Sequence, residues 1–262
     1  MMSDSITDFH FLDTGQAFPL KTFKKNTVEG EGLFNTTEGS DKYIAHDGIS
    51  DEGFAHFQSA YKGASFTKED LFYYIYGILH SPEYKERFQN NLIKELPRIP
   101  TVKKCDVFMA FSEAGRKLGE LHVNYEEIEP FPVNFKDAGL GDFSLVMGSA
   151  TPEAFFRVKK MTFAKKGDKS SVIYNGNITM TDIPLEAYDY VVNGRSALEW
   201  VIDRQQIKKD KTSGIVNDPN DYANETMNNP RYPLELFQRV ITVSLETMKI
   251  VNALPKLDIT GL

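Results

Sequence analysis

Over the first 45 residues, apolar positions come in short bursts, FHFLDTGQAFPLKTF and then VEGEGLF, separated by Gly and Asn clusters. That alternation predicts short strands and turns. From His46 the period lengthens to that of a helix. ISDEGFAHFQSAY takes Ser50 as its cap, and FTKEDLFYYIYGILHS follows a Thr67 cap with acids in the first turn. SPEYKERFQNNLIKEL starts at Ser81 with Pro82 in the first helical position, where the missing N–H costs nothing. LPRIP, residues 96–100, ends it. DVFMAFSEAGRKLGELHVNYEEI then sets Phe108, Phe111, Leu118 and Leu121 at helical spacing.

Between residues 130 and 182 the pattern changes again. SLVMG, RVKKMTFA and SSVIYNGNITM are short β-branched and aromatic runs punctuated by AGLGD, KKGDKS and YNGN, which predicts hairpins. Helices return with PLEAYDYVV and with SALEWVIDRQQI, where Ser196 and Glu199 have capping-box spacing and Trp200 and Val201 are expected inside. A polar stretch to Asp221 follows, long for a loop in a compact domain. PLELFQRVITVSLETMKIVNALP closes the chain with Leu234, Phe237, Ile241, Leu245, Met248 and Val251 on one face, which must pack on something. The expected architecture is α+β. Residues 1–45 form a strand-and-turn segment, and helical parts at 46–128 and 185–255 flank a β-rich hairpin insert at 130–182.

Composition narrows the class. The chain has 262 residues, 41% hydrophobic and 26% charged, as in a soluble globular protein. No apolar run approaches the roughly 18–20 residues of a membrane span, and the polar, acidic start does not read as a signal peptide. One cysteine, Cys105, allows no internal disulfide and fits a reducing cytoplasm. The five histidines are scattered without zinc-type spacing, so no metal site is expected. No nucleophile elbow, Walker loop or kinase motif occurs, so no catalytic residue is assigned. Asn229-Pro230-Arg231-Tyr232 approximates the N-P-P-Y loop with which amino-methyltransferases hold a flipped adenine. Arg stands in place of the second proline, however, and no Gly-rich cofactor turn accompanies it. A turn ahead of the last helix is the simpler reading.

The net charge of −7 argues against a uniformly basic nucleic-acid binder, but the distribution is uneven. RVKKMTFAKKGDK carries Arg157, Lys159, Lys160, Lys165, Lys166 and Lys169 against the single acid Asp168. Lys208, Lys209 and Lys211 add to this in the polar stretch. Cations on a β-ribbon can neutralise phosphates, and such a ribbon fits the major groove. These nine residues are the candidate DNA contacts.

Several longer stretches are similar to one family. FHFLDTGQAFPL, HDGIS, EDLFYYIYGILHSPEYKERFQNNLIKELPRIP, FSEAGRKLGELHVNYE, YDYVVNGRSALEWVIDRQQIKKDKTSGIVNDPNDYA and NNPRYPLELFQRVITVSLETMKIV resemble the C-terminal specificity region of Type ISP restriction–modification enzymes, chains often called predicted helicases. The resemblance runs from about Phe9 to Leu254. It implies a target recognition domain for double-stranded DNA, taken from a single polypeptide that also carries a nuclease, an ATP-driven translocase, a coupler and an adenine methyltransferase. It further implies no catalytic site and no cofactor in this part, and the methyltransferase and translocase domains as its neighbours. Target choice is then expected where family-typical words run out, at Thr22 to Ser40 and Asn134 to Thr181, and the stretch after Trp200 becomes a brace. Two other readings are an interdomain docking module using Phe72, Tyr73, Tyr74, Trp200 and the last helix, and an autonomous methyltransferase using Asn229 to Tyr232.

Overall fold

The structure is a computed structural model and describes residues 2–4, 16–25, 43–137 and 152–259. It is α+β, as expected, and forms two compact units, one of residues 1–123 with 253–262 and one of residues 124–252.

In the first unit, β1 (Lys21–Lys25) pairs antiparallel with β2 (Tyr43–Asp47), from Lys21 opposite Asp47 to Lys25 opposite Tyr43. His46 therefore lies in a strand, and the helical pattern begins later, at α1 (Asp51–Ala60). Local chemistry sets the helix starts. The Ser50 hydroxyl accepts from Gly53 N–H at 3.1 Å. Thr67 and Asp70 form a reciprocal capping box on α2 (Lys68–His80), and Ser81 caps α3 (Pro82–Arg87), whose first residue is the proline. The chain breaks at Phe88 into the single turn α4 (Gln89–Leu92), so the helix expected from Ser81 onward is two short pieces. LPRIP does more than stop a helix. Its carbonyls accept from buried tyrosines, Tyr74 to Pro100 at 2.6 Å and Tyr84 to Arg98 at 2.8 Å. Satisfying those hydroxyls removes the cost of burying them.

α5 (Cys105–Val123) lies against α2 at backbone contact distance. A Cβ on Gly115 would sit 1.9 Å from the Tyr73 carbonyl oxygen, and one on Gly77 2.2 Å from that of Phe111. The close approach buries an aromatic core of Phe57, Tyr61, Phe66, Tyr74, Phe108 and Phe111.

The second unit is built on a four-stranded antiparallel sheet in the order β3 (Asn134–Asp137), β6 (Ile178–Thr181), β5 (Asp168–Ile173), β4 (Thr162–Lys165). A short helix absent from the expectation, α6 (Pro152–Phe156), precedes β4. PLEAYDYVV is not a helix. Only a 3-10 turn forms at Leu185–Tyr188, and β7 (Val191–Val192) pairs with β8 (Arg195–Ser196) across Asn193-Gly194. Both turn residues have positive φ, +51° and +78°, the backbone that two-residue hairpins require and that Asn-Gly tolerates. α7 (Ala197–Arg204) follows with its Ser196–Glu199 capping box intact. The polar stretch after it folds into a hairpin, β9 (Lys208–Lys209) against β10 (Val216–Asn217). After the one-turn α8 (Pro219–Asp221), α9 (Tyr232–Asn252) lays Leu234, Phe237, Val240 and Ile241 into the core formed with Phe156, Val158, Met161, Val172 and Met180. The sheet is thus what the amphipathic last helix packs on.

Candidate nucleic-acid interface

The two lysine-bearing segments, 157–169 and 208–211, meet in the second unit. Their joint is made of backbone. Ile207 N–H donates to the Lys159 carbonyl at 2.9 Å, and Lys160 forms an antiparallel bridge with Gln206. Asn220 fastens the same strip, accepting from Val158 N–H at 2.9 Å and donating to the Val158 carbonyl at 2.8 Å. Lys159 and Lys160 are positioned by bonds that their own side chains do not make.

Three of the nine candidate cations are committed to ion pairs. Arg157 pairs with Asp218. Burial pushes that carboxyl upward, but the N–H and amide of Asn220 and the Arg157 guanidinium outweigh it and hold Asp218 below the usual carboxylate range. Lys169 reaches Glu199 at 3.0 Å and lies over the Tyr188 ring, 5.1 Å from its centroid. Its hydrogen bond, with those from Ser196, keeps Glu199 below the usual range against burial. Lys208 reaches Asp203 at 3.5 Å.

The remaining six are exposed: Lys159, Lys160, Lys165, Lys166, Lys209 and Lys211. None has a carboxylate within 4.0 Å among the described residues. Lys165 ends β4 opposite Asp168, and Lys166 with Gly167, at φ +84°, makes the turn into β5. Lys211 sits in a turn organised by Asp210, whose carboxylate accepts from Thr212 N–H at 2.9 Å and Ser213 N–H at 2.7 Å.

Beside this strip lies a cleft of about 390 Å³ lined by Lys160, Phe163, Arg195, Glu199, Asp203 and Lys208 among others. Arg195 was not a candidate from sequence, and neither was the setting of Trp200. The indole is half-buried, not interior as expected, as is Val201. The indole N–H donates to the Val192 carbonyl at 2.8 Å, and the guanidinium carbons of Arg195 and Arg204 lie 5.4 and 5.7 Å from its ring centroids. The one sequence signal for this arrangement was the Asn193-Gly194 turn, which folds Arg195 back toward α7.

Other candidates resolve differently. The Asn229 amide donates to Glu235 at 2.9 Å and its oxygen accepts from Arg231 N–H at 3.1 Å, while Tyr232 is buried with its hydroxyl donating to Glu126. Amide and ring are both engaged in starting α9, so neither is presented to a base. Tyr74 is wholly buried, which removes it from any docking face. Cys105 begins α5, half-buried against the first core. Among the described residues no group of three or more His, Cys, Asp or Glu is arranged to hold a metal ion, and no helix is long and apolar enough to cross a membrane. Of the two stretches expected to choose the target, residues 26–40 and 138–151 lie outside the described residues.

Comparison with known proteins adds the family. The profile described as Type ISP C-terminal specificity domain matches residues 1–236. Among solved structures, the chain is similar to the ATP-dependent Type ISP restriction–modification enzyme LlaBIII bound to DNA, with 34% identity over 92% of this chain and a TM-score of 0.72. It is similar to a nuclease-deletion mutant of the Type ISP enzyme LlaGI in complex with a DNA substrate mimic, at 39% identity over 82% and a TM-score of 0.62. A DrdV–DNA complex solved by cryo-electron microscopy matches at 32% identity over 80%, also with a TM-score of 0.62. The chain spans 14% of the length of each of the first two and 20% of the third. No curated protein sequence matches. With the profile covering most of its length and the fold shared at this identity, the chain belongs to the Type ISP C-terminal specificity domain family.

Proposed function

We propose that this chain recognises a target sequence in double-stranded DNA on behalf of a larger cytoplasmic restriction–modification polypeptide. Nuclease, ATP-driven translocase and adenine methyltransferase activities would reside in the rest of that polypeptide, and this part would need no cofactor of its own. The observation that carries the reading is the convergence of two lysine-bearing segments on one strip, with six cations that have no carboxylate partner among the described residues. Such cations are what a phosphate backbone attracts, because neutralising phosphates releases condensed counterions. Arg157 and Lys169 contribute mainly by bracing the strip through their ion pairs, whereas the longer, exposed Lys208–Asp203 pair leaves Lys208 able to exchange partners. The exposed tip of the β4–β5 hairpin, which carries Lys165 and Lys166 at the edge of the sheet, is the element best shaped to enter a groove.

The test is duplex binding by the chain at about 50 and 200 mM salt. Contact with six phosphates should cost roughly a thousandfold in affinity over that range. Reversing Lys159, Lys160, Lys165 and Lys166 to glutamate should abolish binding. Unchanged affinity after reversal would assign the strip to scaffold alone and leave docking to other domains as the reading.

A further inference from the structure

We propose that the cleft between β4, β8 and α7 seats a phosphodiester of the duplex backbone, with Arg195 as its principal ligand and Lys160 and Lys208 beside it. This rests on the duplex-DNA reading above and deepens it, since it separates a positioning contact from the groove-entering turn.

Four observations converge on Arg195. It lines the cleft, is exposed, and has no carboxylate within 4.0 Å among the described residues. Its backbone is registered opposite Val192 by the β7–β8 ladder, immediately after the tight Asn193-Gly194 turn and before the α7 cap. Its guanidinium lies 5.4 Å from the Trp200 ring centroid. That stacking restrains the side chain and leaves its N–H edges free to donate, so less freedom is lost when a planar acceptor docks. Arg204, 5.7 Å from the same indole, adds a second positive charge.

The charge balance of the cleft favours an anion. Three cations, Lys160, Arg195 and Lys208, face two carboxylates, Glu199 and Asp203. Glu199 is held by Lys169 at 3.0 Å and by the Ser196 hydroxyl at 2.8 Å. Asp203 meets Lys208 at 3.5 Å with the lysine half exposed, a pair that costs little to exchange for a phosphate. Shape separates phosphate from base. Base edges lie at the floor of a groove and are reached by a protruding element, whereas the phosphodiester ridge is convex and fits a cleft. A contact of that kind fixes register and carries no sequence information.

Trp200 is the chain's single tryptophan and carries Arg195 against its ring, so its emission reports on the surroundings of that guanidinium. Duplexes of several unrelated sequences would be titrated at about 50 and 200 mM salt, reading both the anisotropy of a labelled strand and Trp200 emission. Wild-type binding should shift the emission. Arg195→Ala should weaken every duplex alike by on the order of tenfold and lower the slope of log affinity against log salt by about one. Arg195→Lys should recover part of both, because it keeps the charge without the fork. Unchanged affinity and slope in Arg195→Ala would overturn the proposal, as would a loss confined to one sequence, which would make Arg195 a base reader. No binding by the wild-type chain at either salt would instead overturn the duplex-DNA reading beneath it.

Discussion

Replacing Gly115 by alanine drives a methyl group into the place where α2 and α5 touch. The new Cβ would lie 1.9 Å from the Tyr73 carbonyl oxygen and 2.7 Å from the Gly77 nitrogen, both closer than the 3.0 Å that real Cβ atoms respect. Both neighbours are backbone, so neither can swing aside, and the helices must part by about 1 Å at their crossing. Parting them loosens Tyr74, Phe108 and Phe111, all fully buried. Overpacking of this kind costs about 1–3 kcal/mol, and backbone against backbone belongs at the upper end. Alanine returns up to about 1 kcal/mol of helix propensity, leaving a net loss of about 2 kcal/mol. For a chain of this size that is roughly 4–8 °C in Tm. Urea unfolding followed by far-ultraviolet circular dichroism measures it, with Gly53→Ala as the control. Among the described residues a Cβ at Gly53 meets only the Ser50 hydroxyl, at 3.3 Å, so that change should be neutral or stabilising. If Gly115→Ala proved as stable as Gly53→Ala, the close approach of α2 and α5 would be wrong.

Other consequences follow from single groups. Burial depresses the pKa of His80 to about 4 and, together with the nearby His80 charge, that of His122 to about 3. Both are therefore neutral in the fold, and their contribution is intact above pH 6.5 and is lost as pH falls toward 4. The loss approaches about 1.4 kcal/mol per pH unit for each histidine, and a His80→Gln, His122→Gln variant should show a flatter profile in chemical denaturation between pH 7 and pH 4. Asn220→Ala strands the Val158 N–H and carbonyl in a buried setting, so stability should drop by about 2 kcal/mol. Loosening residues 158–160 should also weaken duplex binding in anisotropy titrations without altering its sequence preference. Ser196→Ala removes the α7 cap and should cost about 1 kcal/mol in urea unfolding.

What could be read from the sequence was what depends on neighbours three or four residues apart. Ser50, Thr67, Ser81 and Ser196 cap helices where their spacing to the first turn said they would, because a hydroxyl and an orphan N–H meet within one turn regardless of the rest of the chain. The apolar face of α9 was legible for the same reason, and long family-typical words carried the kinship. PLEAYDYVV is not a helix because helical spacing in a short apolar run competes with the Asn-Gly turn that directly follows it, and the turn won. Tyr74, one of the residues the docking reading needs on an outer face, lies in the core instead, because a carbonyl of LPRIP, 26 residues away, satisfies its hydroxyl there.

The interface followed the same division. The sequence alone determined that there were two basic segments. Tertiary structure decided that Lys159 and Lys160 lie beside 206–207, that Asp218 takes Arg157 out of play across 61 residues, and that Arg195 rests on Trp200 over a cleft. The physical reason is reach. A cap or a turn is closed by local geometry, whereas the availability of a cation depends on which distant carboxylate the packed fold brings within about 4 Å of it.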